Sequence, residues 1–521
     1  MLQHLDSGRY WMAGWLLPVF IGAVLLYGHM DQGLFQYDEA DYMVAARQGI
    51  ASNYFETNTL SMQAFLLKGL KTYLDGDLPA LSRKIRDAQD VNFFRHYHPP
   101  ATVYLMALTD ALVGPEEHQV RLFIWLVVLF TIGVIYWTLR AILPKDGYWV
   151  GSLAALLVAI SPMMHTTSGM ISVHPLFILI AILTLSRLTR YFQTQRLRDF
   201  YLFTGWLAIA FVVNEYALVL TVVSVLCLIL VPNDLICLTR RQMRVSYHLF
   251  GCLACFVGVL LFLWPGGLFK LTMIKSYIYL GYLVFVKSTL SYGSYTLFEV
   301  WGTRFMSAPV EMGLILFGLG HGIVGILTRR IDRTLLPLLA YPVIIFLANL
   351  LNRAAFNTYA VSMYPFLLMF AAMGIVTWMR SQGTRPRRTM ALILLAGLVL
   401  SNGWLNRYPS REDLTPFQTA FKTIKSLSRV GDNMLVSHGY LPTVNYYLPQ
   451  YDVATIYLET PGEEVATWFE QQTYRYFLFF GSPDILKNAV YSTTLSRHYK
   501  EIQRLPNNQD KWLVLFEARE E

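Results

Sequence analysis

The chain has 521 residues, 55% of them hydrophobic and 15% charged, with a formal net charge of +8. This balance is too apolar for an ordinary soluble protein or a disordered chain. The arginines fall in short loops between apolar segments rather than in a nucleic-acid-binding patch, so the basic charge points to a membrane-spanning chain and not to nucleic acid. The four cysteines, Cys227, Cys237, Cys252 and Cys255, lie in or beside apolar segments. The lone CxxC of Cys252 and Cys255 has no second pair to complete a metal site and reads as small helix residues.

In chain order, apolar segments fall near 11–28, 119–142, 147–164, 172–190, 200–213, 216–232, 246–264, 309–327, 334–351, 358–379 and 389–405. The first reads as a retained anchor, because no small-x-small cleavage site follows it. Basic loops lie between the others: Arg140 with Lys145; Arg187, Arg190, Arg196 and Arg198; Arg240, Arg241 and Arg244; Arg329, Arg330 and Arg333; and Arg380, Arg385, Arg387 and Arg388. Placing all of these loops in the cytoplasm gives about eleven spans, with the N-terminus inside and the C-terminus outside. The stretch 200–232 then crosses twice, and its turn at Asn214–Glu215 reads as a wet loop.

Three segments face outward in this topology. Residues 29–118 carry helical spacing at 39–48, 60–74 and 100–113. The last of these begins at Pro99–Pro100 and stops at Gly114–Pro115. Residues 265–308 are aromatic, basic and amphipathic, as in "GGLFKLTMIKSYIYLGYLVFVK", a composition suited to the headgroup layer. The tail, 406–521, alternates strand and helix signals: "NMLVSH", "YDVATIYL", "YRYFLFFG" and "KWLVLFEA" read as strands, "GEEVATWFEQQ" and "PDILKNAVY" as helices. The expected fold class is mainly α: a polytopic membrane domain over 1–405, with interfacial helices in its outer loops, and a C-terminal extracytoplasmic α/β domain over 406–521.

The stretch "FQYDEADYMVAARQGI" begins just past the first span. Asp38 suits a helix N-cap, with Gly49 closing the helix. It equally suits a general base: a carboxylate at the interface, its pKa raised by partial burial and lowered by nearby cations, facing an acceptor hydroxyl. Both roles are compatible, and Glu39 beside it is a second acid. "RHYHPP" offers Arg95, His96 and His98 before a rigid helix start. This is either a solvated basic loop or an anion site, where arginine grips phosphate bidentately.

"DEADY" after the first span, "HPPATVYLMAL", and "GPEEHQVRLF" entering the second resemble the protein O-mannosyltransferase superfamily, which includes the lipid A aminoarabinose transferase-like enzymes. The matching positions are Asp38 and Glu39, His98 with Pro99 and Pro100, and Gly114 through Arg121. The pattern departs from the family at "TYAVSMYPFLLMFAA", where Thr358 and Ser362 replace an arginine and a proline. It departs again at "SGMISVHPLF", where His174 stands near an expected acid, with His165 at the other end of the same outer loop.

The resemblance implies a GT-C glycosyltransferase that moves a sugar from a polyprenyl-phosphate donor to an acceptor hydroxyl, with inversion and with Asp38 as base. It implies a phosphate cradle from Arg95, His96 and His98, with Lys270, Lys275, Arg304 and Arg353 as further cations on outer segments. A second-loop site would fall on His165 and His174, and the departure there leaves open whether a divalent metal takes part. The implied partners are the lipid-linked donor, membrane lipids and a glycan, lipid or protein acceptor. The implied location is a bacterial inner membrane with the site outside. From the residues alone, a polytopic lipid or glycan transporter remains the alternative, since broken helices such as 200–232 suit one.

Overall fold

The computed structural model describes residues 11–28, 33–35, 37–55, 99–232, 242–269, 271, 274, 302, 306, 309–351, 361–380, 396–398, 400–402, 415–427, 432–437, 440–456, 466–467, 469–471, 474–486, 489–506 and 511–519. Helices come first: α1 (Trp11–Tyr27), α2 (Tyr37–Arg47), α3 (Ile50–Phe55), α4 (Ala101–Val113), α5 (Glu117–Ile142), α6 (Gly147–Ala159), α7 (Pro162–Ser168), α8 (Val173–Thr194), α9 (Leu197–Val213), α10 (Ala217–Leu230), α11 (Gln242–Leu263), α12 (Pro265–Phe269), α13 (Pro309–Leu327), α14 (Leu336–Leu351) and α15 (Tyr364–Arg380). The tail follows with α16 (Thr415–Leu427), β1 (Asn433–Ser437), α17 (Leu441–Tyr447), β2 (Asp452–Ile456), β3 (Tyr476–Gly481), α18 (Pro483–Leu486), α19 (Ala489–His498), β4 (Tyr499–Pro506) and β5 (Trp512–Ala518). The chain is mainly α, with one small sheet near its C-terminal end.

Contacts divide it into two units. The helical unit comprises Met1–Asp31, Tyr97–Thr102 and Arg121–Pro409. The second unit, called outer only after the topology expected from the sequence, comprises Gln32–His96, Val103–Val120 and Ser410–Glu521.

Among the described residues, α5, α8 and α13 are long and apolar enough to cross a membrane, and seven shorter helices of 10–17 residues, α4 among them, are also apolar. Apolar side chains face outward as well as inward: Phe20, Phe130, Phe250 and Phe262 are 65, 62, 71 and 76% exposed. In water such surface is costly, whereas against lipid tails it is matched. Helices pack closely where glycine permits. A Cβ on Gly318 of α13 would lie 2.5 Å from the Ala371 backbone nitrogen of α15, so the small side chain sets how near these two helices come.

Polar contacts collect at the helix ends. Arg380, at the end of α15, forms an ion pair with Asp146 before α6, and Gln193 near the end of α8 donates to the Ile142 carbonyl at 2.9 Å. The basic loops near 140–146, 187–198 and 380 are thus brought together by these contacts. The break between α9 and α10 falls at Asn214–Tyr216, where the Asn214 side chain accepts from the Tyr216 N–H at 2.7 Å. The turn is not wet, however. Asn214 and Glu215 are 2 and 4% exposed, because α9 and α10 pack against α8 and the Tyr216 ring lies 6.2 Å from Phe177.

In the outer unit the sheet has the order β2-β1-β3-β5-β4. Strand β1 runs parallel to β2 and β3, while β5 runs antiparallel to β3 and β4. The central strand β3 buries both faces. Tyr476, Leu478 and Phe480 enter one core with Phe417, Phe421 and Tyr440; Phe477 and Phe479 enter the other with Phe469 and Phe516. Leu34, just ahead of α2, joins the first core, so part of the first outer loop is built into the tail's fold.

Candidate functional site

Helix α2 places Asp38 in its first turn and ends at Gly49, which has φ +88° and an N–H donating to the Ala46 carbonyl at 2.9 Å. Only a residue tolerant of positive φ closes a helix this way at low cost. Of Asp38 the backbone alone is described. Glu39 is 1% exposed.

The approach to α2 is fixed by α17. The Phe35 N–H donates to the Tyr447 hydroxyl at 2.9 Å, the Thr443 hydroxyl donates to the Phe35 carbonyl at 3.1 Å, and the Phe35 ring meets Tyr446 edge-on at 5.1 Å. At the other end, Arg47 lies 3.7 Å over the Tyr446 ring and donates to the Tyr446 carbonyl at 2.9 Å. A short helix of weak amphipathicity would be marginal alone; here both ends are held by the tail.

Helix α4 has the bounds that its punctuation predicts, with Gly114 at φ +99° ending it. Arg121, which completes the Gly-x6-Arg motif, is fully buried in α5. His165 in α7 is fully buried, with Nε2 2.7 Å from the Ala159 carbonyl, and His174 at the start of α8 is 7% exposed. Arg95, His96, His98, Lys270, Lys275, Arg304 and Arg353 lie outside the described residues, as does the helix expected over 60–74. Among the described residues, no group of three or more His, Cys, Asp or Glu could hold a metal ion.

Two arrangements were not legible from local sequence. In the helical unit, Glu311 is 3% exposed in the first turn of α13. It accepts from the Ser161 hydroxyl at 2.6 Å and from the Asn402 amide at 3.1 Å. Ser161 joins α6 to α7, and Asn402 lies in a helical stretch preceding the tail, so one acid ties the start of α13 to both. An acid two residues past a span-opening proline is itself a signal, since ionisable residues within spans are seldom incidental.

In the outer unit, Arg47, Glu117, Lys425, Tyr446, Tyr447 and Gln450 line an open cleft of about 460 Å³. Its walls are hydrogen-bonded: Tyr447 donates to Glu117 at 2.5 Å and Tyr446 to the Pro115 carbonyl at 3.1 Å. Burial pushes the Tyr446 hydroxyl up to about 12, and burial together with the Glu117 carboxylate raises that of Tyr447, so both stay neutral donors at physiological pH.

Residues 97–264 match the family of dolichyl-phosphate-mannose-protein mannosyltransferases. No curated protein matches the chain by sequence. Among solved structures, ArnT from Cupriavidus metallidurans bound to undecaprenyl phosphate is 14% identical, with a TM-score of 0.58 covering 97% of this chain and 98% of that one. The Archaeoglobus fulgidus oligosaccharyltransferase in its apo form is 9% identical, with a TM-score of 0.60 over 95% of this chain and 73% of that one. The same archaeal enzyme, AglB, in complex with an inhibitory peptide and a dolichol-phosphate, has a TM-score of 0.57 at 9% identity, covering 97% of this chain and 74% of its own. In its motifs and in its fold, the chain resembles the protein O-mannosyltransferase and lipid A aminoarabinose transferase-like superfamily of GT-C glycosyltransferases.

Proposed function

We propose that the protein is a membrane glycosyltransferase that moves a sugar from a polyprenyl-phosphate donor to an acceptor hydroxyl, with inversion, on the outer side of a bacterial inner membrane. Asp38 accepts the proton of the acceptor hydroxyl. The hydroxyl oxygen forms a bond to the anomeric carbon as the bond from that carbon to the phosphate oxygen breaks. The lipid phosphate departs from the opposite face with the electron pair, and cations around it stabilise the developing charge. Arg95, His96 and His98 form the cradle, with Lys270, Lys275, Arg304 and Arg353 as further cations. Glu39, which is buried, positions Asp38 or the acceptor, and His165 and His174 flank the second outer loop.

The observation that carries this reading is the Asp-Glu pair at the start of a helix fixed at both ends, in a chain whose fold is shared with a protein crystallised with undecaprenyl phosphate. An N-cap role does not compete with it, because a helix start also holds a side chain in place.

The test is Asp38→Asn. Transfer is expected to fall by about two to four orders of magnitude while expression, thermal stability and donor binding persist. A mutant that transfers at nearly the wild-type rate, or whose loss follows its unfolding, returns Asp38 to a capping role. Arg95→Ala is expected to weaken donor binding; an unchanged donor affinity removes Arg95 from the cradle.

A further inference from the structure

The cleft of the outer unit takes no part in that bond-making step, yet it is built rather than incidental. Arg47 is held by the Tyr446 ring and carbonyl, and Tyr447 is held between the Phe35 N–H and Glu117. Tyr447 also stacks on Phe421 of α16 at 5.7 Å. Three segments far apart in sequence therefore fix the walls before any ligand arrives. Lys425, Glu116 and Gln450 are exposed at the rim.

The charges balance. Arg47 and Lys425 supply two cations, Glu116 and Glu117 two anions. A cleft tuned to phosphate would carry an excess of cations, and one tuned to a basic peptide an excess of acids. What this cleft offers is donors and acceptors side by side: the held guanidinium, carboxylate and phenol groups of Arg47, Glu117, Tyr446 and Tyr447, with the Lys425 ammonium and Gln450 amide at the exposed rim. That set matches a ligand of adjacent hydroxyls, each of which both donates and accepts. A volume of about 460 Å³ is in the range of small-molecule sites.

We propose that this cleft binds a neutral oligosaccharide, and that the enzyme's acceptor is a glycan gripped here at a distance from the hydroxyl it presents for reaction. Arg47 follows Asp38 by nine positions on α2 (47 minus 38), about 14 Å along the axis at 1.5 Å per residue. A ligand a few sugar rings long reaches from the cleft to the first turn of the same helix. The acceptor role rests on the reading of Asp38 given above; the binding itself does not.

The experiment uses the full-length protein in detergent with mannotriose, maltotriose and tri-N-acetylchitotriose as probes. Inorganic phosphate and mannose 6-phosphate serve as anionic controls. Binding is followed by saturation-transfer NMR and calorimetry. At least one trisaccharide is expected to bind, with an affinity insensitive to salt. The double variant Lys425→Ala/Gln450→Ala, at two exposed rim positions, is expected to weaken it about tenfold without changing the melting temperature. Arg47→Ala is expected to weaken it further, though this variant also loses a packing contact. The proposal is overturned if none of the three trisaccharides binds, if the rim variant binds as the wild type does, or if an anionic control binds and displaces the sugar. Asp38→Asn is expected to leave trisaccharide binding intact, so the cleft and the reaction fail separately.

Discussion

The two units hold their buried polar groups in different ways. In the helical unit, Glu311 is enclosed by two neutral donors, Ser161 and Asn402. The surrounding surface is apolar inside and out, and the closeness of α13 to α15 depends on small side chains. In the outer unit, carboxylates are partly exposed and meet charged or phenolic partners: Glu117 with Tyr447, and Asp432 and Glu517 with Arg475 at 3.3 and 3.5 Å. Where water is at hand, an acid can be half-paired at little cost; between spans each lost partner is felt in full. Glu311 thus rests on two neutral contacts, while the charged pairs of the same unit, Arg187–Asp199 and Arg380–Asp146, lie near helix ends. In the outer unit the contacts around α2 link segments about four hundred residues apart.

The largest effect should come from the proposed base on α2. Asp38→Asn is expected to lower transfer by about two to four orders of magnitude, the range a general base supplies, in an assay with lipid-linked donor. Next, Glu311→Ala should destabilise the protein by about 2–4 kcal/mol, since it strands both the Ser161 hydroxyl and the Asn402 amide. Glu311→Gln should recover more than half of that loss in detergent melting curves. Equal losses for the two variants would show that charge, and not hydrogen bonding, matters there.

Tyr447→Phe removes the donor to Glu117 and the acceptor for Phe35 in one change. About 1–2 kcal/mol is expected, read as faster hydrogen exchange in α2 and α17 and not in α13. Exchange that rises equally in both units would erase the contrast drawn above. The smallest effect concerns pH. Burial pushes Tyr446, Tyr476 and Tyr499 up to about 12 from an ordinary value near 10. A raised folded-state pKa means that the stability from the neutral phenols is complete below about pH 10 and is lost as pH climbs through about 12. Alkaline circular dichroism should therefore show the sheet signal declining in that window.

Much of this architecture was legible where local punctuation is strong. The Pro99–Pro100 start and Gly114 stop of α4, the Gly49 stop of α2 and the break at Asn214 all follow from backbone rules that need no tertiary partner. Strands β1, β2, β3 and β5 carry the apolar runs expected of them. Strand β4 does not: "YKEIQRLP" is an edge strand, with Glu501 and Arg504 paired on its surface, and edges are kept polar to prevent stray pairing. Helix α16 has a full amphipathic period through Phe417, Ala420, Phe421 and Ile424, yet falls outside the segments read as helix. The Glu215 turn was read as wet because local sequence does not report what packs over it. The Glu311 contacts and the cleft escape sequence reasoning for a plainer reason: their partners are 150 and 91 residues apart in the first case, and 330 and more in the second.

The bond between Phe35 and Tyr447 spans 412 positions. On a ribosome adding about 5–20 residues each second, the latch for α2 is synthesised roughly 20–80 seconds after the segment it secures. Until then the Asp-Glu helix lacks its anchor, although the helices between have already been made. A chain assembled in this order holds both ends of α2 only once α17 has been made, and any premature stop before α17 leaves the Asp-Glu helix without either tie.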